Sequence, residues 1–120
     1  MTEKHGILLV VDEIQTGMGR TGKWFASEHL HVKGDVVLVG KALASGLPLA
    51  ACVIPGNHLD PKIGGAIPTH AQSFLANPLS VAAAHATLDT IDKEDLCRAS
   101  EYKGVELRKA LAEKLWWDTC

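Results

Sequence analysis

The chain has 120 residues, 47% of them apolar and 22% charged, with a formal net charge of −2. It is long enough for one domain or part of one, and its composition is that of an ordinary soluble globular protein. The charge provides neither a basic surface for nucleic acid nor an acidic tail, and no apolar run approaches the roughly 18 residues that a membrane helix needs.

The amino-terminal MTEKHG has neither a signal peptide's apolar core nor a transit peptide's arginine-rich helix. Ile7–Val11 is continuously apolar, which predicts a short strand buried on both faces. Asp12 to Thr16 leave that strand, and Gly17, Gly19 and Gly22 permit a tight, irregular path. Trp24–Leu30 predicts about two turns of helix as the crossover to a parallel strand. Lys33-Gly34 signals a turn before the second strand, Val36–Val39. The segment from Ala42 to Pro48 is too short for another crossover helix, so Leu49–Ile54 is expected to return antiparallel. Pro55-Gly56-Asn57 closes that run, and residues 56–72 read as a long loop of the kind that often carries function. Asn77-Pro78 predicts a helix start, with Asn77 as cap and Pro78 in the first turn. An alanine-rich, well-packed helix then runs to Ile91, and Asp92-Lys93 interrupts it. A second helix is expected from Glu94 to about Leu115, with Leu107, Leu111 and Leu115 on one stripe.

Asp12 and Lys41 are the polar groups that follow the two strands. In mostly parallel sheets, ligands sit just beyond the carboxyl ends of the strands, so this acid and this amine would face one crevice. Taken alone, an aspartate after a strand is more often a turn former, and a lysine there is more often solvated. Two other patterns look like phosphate sites. Gly17-x-Gly19-x-x-Gly22 matches a dinucleotide fingerprint, and Gly17-x4-Gly22-Lys23 is close to a P-loop. Both need the first glycine at the immediate end of the strand, and a P-loop needs Ser or Thr after its lysine. Here Asp12–Thr16 intervene and Trp24 follows Lys23, so the glycines are read as turn formers. His29 and His31 are two apart, and the chain has no Cys-x-x-Cys or H-E-x-x-H, so no metal site is expected. Three cysteines, Cys52, Cys97 and Cys120, point to reduced thiols and a cytoplasmic setting rather than a disulfide framework.

Three stretches stand in order along the chain: LLVVDEIQTGMGRTGKWF, DVVLVGKALASGLPL and HAQSFLANPL. Together they closely resemble the class III aminotransferases, from about Ile7 to about Leu111. The resemblance implies part of the large domain of the aspartate aminotransferase fold type (fold type I): α/β, with a mostly parallel sheet carrying an antiparallel strand, followed by helices. Residues 1–92 would be a partial cofactor-binding large domain, and residues 93–120 a helical segment leading toward a small domain. The implied cofactor is pyridoxal 5′-phosphate. By motif position, Lys41 would be the Schiff-base lysine, a role that needs an amine in a partly desolvated site. Asp12 would pair with the pyridine nitrogen and keep it protonated. Ile14 would pack on the ring, Gln15 would hydrogen-bond near the phenolic oxygen, and Ser73 would bind the phosphate across a dimer interface.

The implied reaction moves an amino group from an amine or ω-amino acid, 4-aminobutyrate-like, to a 2-oxo acid in a homodimeric enzyme, with no nucleic acid or membrane partner. A racemase, aminomutase or decarboxylase of the superfamily would share the same lysine and acid. Departures from the family pattern are Gly40 in place of Ala or Ser, and Gln72 and Leu75-Ala76 around Ser73. The family's upstream glycine-rich segment and downstream small domain have no counterpart here, and Trp116–Cys120 does not resemble the family. Two readings of other classes compete: a truncated, inactive homologue acting as an interaction fragment, and a nucleotide-binding module.

Overall fold

Valines at 36, 37 and 39 favour an extended chain, and this run forms the central strand of a three-stranded sheet. The structure, a computed structural model, describes residues 2–54 and 75–115. Strand β1 is Val10–Asp12, β2 is Val36–Val39 and β3 is Ala51–Val53, in the spatial order β1-β2-β3. β1 runs parallel to β2 with Val10 opposite Val36 and Asp12 opposite Leu38. β3 returns antiparallel, as expected, with Val37 opposite Val53 and Val39 opposite Ala51. Helix α1, Pro78–Lys93, and helix α2, Leu96–Leu115, follow.

The crossover differs from the sequence expectation. In place of two α-helical turns over Trp24–Leu30, the chain makes a short 3₁₀ helix, Ala26–Leu30. His31 ends it in the left-handed conformation at φ 52°, donating its N–H to the Glu28 carbonyl. Five residues are too few to develop an i→i−4 ladder, and the tighter 3₁₀ path is the usual form of so short a connector. Asp35 then closes the crossover: its Oδ2 accepts the Leu9 N–H at 2.8 Å, and its own N–H donates to the Leu9 carbonyl at 2.9 Å. Gly34 sits where a Cβ would stand 2.6 Å from Val11 Cγ2, so the chain can pass over Val11 only without a side chain there.

Asn77 caps α1 as predicted, its Oδ1 accepting the Leu79 N–H at 2.9 Å with Pro78 in the first turn. The break between helices lies later than Asp92-Lys93. α1 continues through Lys93, and the chain turns at Glu94–Asp95, with Asp95 left-handed at φ 49°. The Lys93–Asp89 ion pair at 2.9 Å, four residues apart, belongs to that last turn and extends the helix past Ile91.

The core joins the end of β2 to α1. Val39, Leu43, Ala44 and Ala84 are buried together, with Met18, Phe25, Leu49 and Leu88 packed around them. Small alanines on α1 allow the turn after β2 to approach closely. The expectation of a first strand buried on both faces fails. The strand is also shorter than the expected Ile7–Val11, beginning only at Val10. Ile7, Leu8 and Val10 are 58%, 55% and 53% exposed, because β1 is an outer strand with one neighbour and no layer covers that end among the described residues. The α2 stripe is likewise open, with Leu107 and Leu111 exposed.

Unpaired strand edges beside exposed apolar side chains template association. The purified chain is therefore expected to sediment as species larger than a monomer at micromolar concentration. A monodisperse monomer with one cooperative unfolding transition would contradict this.

Candidate active site

Because β1 and β2 are parallel, their carboxyl ends lie at the same end of the sheet, and each leads into a residue that the sequence singled out, Asp12 and Lys41. Asp12 closes β1, and its Oδ1 accepts the Ile14 N–H at 3.0 Å. This aspartate turn bends the chain toward β2. Gln15 thereby reaches across to Lys41, whose Nζ donates to Gln15 Oε1 at 2.8 Å. Asp12, Gln15 and Lys41 are all exposed, so the crevice is open on this side. Ile14 lies between them: its Cγ2 is 3.4 Å from the position a Cβ on Gly40 would take. The amide and the amine thus meet directly, the branched apolar side chain lies beside the glycine that precedes the amine, and the acid stands at the same end of the sheet.

The backbone of Lys41 is unusual. Its φ is 44°, left-handed for a residue with a long side chain, a conformation that costs on the order of 1–3 kcal/mol and persists only where the surroundings over-determine it. They do so here. Leu43 donates its N–H to the Gly40 carbonyl at 3.0 Å, and the Leu43 and Ala44 side chains that follow are buried in the core.

Sequence reasoning missed Glu13. Its side chain is 2% exposed and gathers three donors from two segments. The Thr16 hydroxyl donates to Oε2, the Ala26 N–H to Oε2 at 3.0 Å, and the Ser27 N–H to Oε1 at 2.7 Å. The two amides open the 3₁₀ helix, where backbone donors lack a partner of their own. Burial by itself pushes the Glu13 carboxyl up, but the bonds from Thr16, Ser27 and Ala26 outweigh it and hold the pKa below the ordinary glutamate value. A signal was available in the sequence. Successive strand side chains alternate in direction, so if Asp12 faces the crevice, Glu13 must face inward.

The glycine turn serves packing. Gly17 N–H donates to the Glu13 carbonyl at 2.9 Å, and Gly22 N–H to the Gly19 carbonyl at 3.2 Å, so these amides are engaged within the turn. The turn docks on α2. At Gly22, with φ +92°, a Cβ would meet Glu101 Cβ at 2.9 Å, and Ser100 Oγ donates to the Arg20 carbonyl at 3.0 Å. His29 Nε2 lies 3.1 Å from the Thr21 carbonyl, a contact that ties the 3₁₀ helix to the same turn. Among the described residues, no group of His, Cys, Asp and Glu could hold a metal ion, and no helix is long and apolar enough to cross a membrane. Ser73, Gln72, the loop from residue 56 to 72 and the Trp116–Cys120 tail lie outside the described residues.

The class-III aminotransferase family pattern matches residues 1–116. The chain belongs to that family. A leucine/methionine racemase of Thermococcus litoralis is 42% identical over 92% of this chain and 24% of its own length. An acetylornithine aminotransferase of Archaeoglobus fulgidus is 40% identical over 94% of this chain and 29% of its own length. The solved ornithine aminotransferase of Toxoplasma gondii, described with partial occupancy of pyridoxal phosphate at its active site, superposes with a TM-score of 0.85 at 34% identity, covering 96% of this chain and 26% of that one. The chain thus spans about a quarter of the length of these relatives. The fold is the corresponding part of a fold type I, class III aminotransferase, a family of pyridoxal-phosphate enzymes.

Two outcomes are expected from this geometry. Gly40→Ala should change thermal stability by less than about 1 kcal/mol, since its Cβ would meet Ile14 and Ala50 at 3.4–3.6 Å, ordinary contact at an extended φ. A ¹³C carboxyl titration of Glu13 should give a midpoint below about 4.3, the value expected for an unperturbed glutamate. With the folded pKa depressed, the carboxylate's contribution to stability is complete above the unfolded pKa and is lost as pH falls through the folded one. Glu13→Gln should flatten that part of the pH–stability curve.

Proposed function

We propose that this chain carries the cofactor-binding lysine and acid of a pyridoxal-phosphate transaminase, with residues 1–92 in the large domain and 93–120 leading out of it. The observation that carries this reading is the acid–amine pair at the same end of two parallel strands, linked by the Lys41–Gln15 bond at 2.8 Å. The donor set suits the cofactor. Asp12 has one carboxylate oxygen turned to its own loop and the other without a partner among the described residues, available to an N–H. Ile14 offers an apolar surface, and Gly40 leaves the space beside it clear.

When bound, pyridoxal phosphate supplies an electron sink for chemistry at the carbon bearing the amine. Lys41 is the residue that would hold it covalently. Asp12 would keep the ring nitrogen protonated, Ile14 would pack against the ring, Gln15 would bond near the phenolic oxygen, and Ser73 would bind phosphate from the neighbouring subunit of a homodimer. Lys41 Nζ, once free, would take the proton from the amine-bearing carbon and hold it on an amine that Gln15 Oε1 can steady. The donor class we favour is an ω-amino acid or related amine, with a 2-oxo acid as acceptor. Relatives named as ornithine and acetylornithine aminotransferases support this. A second reading, racemisation, is favoured by relatives named as leucine/methionine and alanine/serine racemases. It would use Lys41 Nζ on one face of the amine-bearing carbon, with a proton returned to that carbon on the opposite face.

Titrating the purified chain with pyridoxal phosphate, reducing with borohydride and mapping the labelled peptides tests the assignment. Stoichiometric label at Lys41, lost in Lys41→Ala, is the expected result. Label spread over many lysines and unchanged in the variant would mean that the chain by itself does not form the site.

A further inference from the structure

The site proposed above depends on two exposed side chains, Gln15 and Lys41, meeting from different strands. Contacts between exposed, flexible polar groups are individually weak, so their geometry must come from the backbones that carry them. Lys41 is fixed by the buried Leu43–Ala44 turn behind it. Gln15 has no comparable anchor of its own. Its neighbours supply one: Glu13 and Thr16 stand on either side of the Ile14-Gln15 pair, and their side chains bond to each other in the interior. The same carboxylate is tied to Ala26 and Ser27 across the crossover, and the Glu13 carbonyl accepts the Gly17 N–H at 2.9 Å. The turn that presents Gln15 is therefore clamped at both ends by one buried, ionised group. Moving the backbone of Gln15 away from Lys41 would mean breaking charge-assisted bonds, which are stronger than neutral ones.

We infer that Glu13 is a positioning residue for Lys41, acting through Gln15: its buried carboxylate clamps the 13–17 turn onto the start of the 3₁₀ helix and so sets the Gln15 Oε1–Lys41 Nζ contact. This rests on the proposed role of Lys41 only for its functional meaning. The Glu13–Gln15–Lys41 coupling is a property of the chain itself.

A double-mutant cycle tests it. The readout is the share of pyridoxal-phosphate label that falls on Lys41 relative to the other lysines, after borohydride reduction. Glu13→Gln should lower that share by about tenfold, less than the roughly hundredfold that a 1 Å misplacement of a reacting group can cost. Gln15→Ala should lower it comparably, and the double variant should be no worse than Gln15→Ala alone. A further loss of the same size in the Gln15→Ala background would overturn the inference, because Glu13 would then act independently of Gln15. An unchanged Lys41 share in Glu13→Gln, with only stability reduced, would also overturn it. Circular dichroism of α1 and α2 checks folding. If Glu13→Gln does not fold, Thr16→Val removes one of the three bonds and should reproduce a smaller loss, which Thr16→Ser restores.

Should the wild-type chain show no preference for Lys41, the cofactor reading fails, and the coupling is read instead from the Gln15 side-chain amide resonances. Lys41→Ala should shift them in the wild type but not in a Glu13→Gln background. An equal shift in both would overturn the inference on its own.

Discussion

A buried carboxylate holds together the end of the sheet that carries Asp12 and Lys41. Glu13 lies one residue past the strand-end acid and points the other way, into the protein, where three donors meet it. An ionised group out of water is stable only when its acceptor capacity is filled, and removing a partner costs more than the bond's net worth. The demand for satisfaction therefore acts as a constraint. It fixes where the crossover's 3₁₀ helix begins and which way the loop after β1 turns. It also explains why so short a helix persists, since its first amides are bonded by side-chain oxygen.

The glycines of the following turn serve the same end. Gly17 lets the backbone return to the Glu13 carbonyl, where a Cβ would come within 2.8 Å of the oxygen. Gly22 lets the turn lie flat on α2 against Glu101. α2 is thus joined to the rest through the glycine turn as well as through α1, and the loop after β1 is supported by a helix distant in sequence. On the other side of the crevice, the core around Leu43, Ala44 and Ala84 holds Lys41 in a backbone conformation it would not choose freely. The amine and the amide that meets it are supported by two separate pieces of packing.

The open face of the sheet has a different origin. Ile7, Leu8, Val10 and Val53 have the composition of interior strands and are exposed. Among the described residues no layer stands opposite them, and the chain spans about a quarter of the length of its relatives. The apolar run marked the place of β1, but only Val10 and Val11 of it are strand. Burial depends on what stands opposite, and that is not a local property.

Several features were determined by the sequence alone. The parallel pair with its antiparallel return followed from connection lengths, the Asn77-Pro78 cap from side-chain chemistry, and the family from three ordered motifs. The placement of Asp12 and Lys41 at one end of the sheet was also legible, since parallel strands must release their last residues at one end. Tertiary structure alone decided the rest. It shortened the crossover to 3₁₀ geometry, moved the helix break to Glu94–Asp95, and placed Lys41 in a left-handed conformation. It also set Glu13 among donors on Thr16, Ala26 and Ser27, two of them 13 and 14 residues away. Periodicity and motif spacing report what one segment prefers. Which buried group finds which distant donor depends on how segments are brought together, and only the folded chain specifies that.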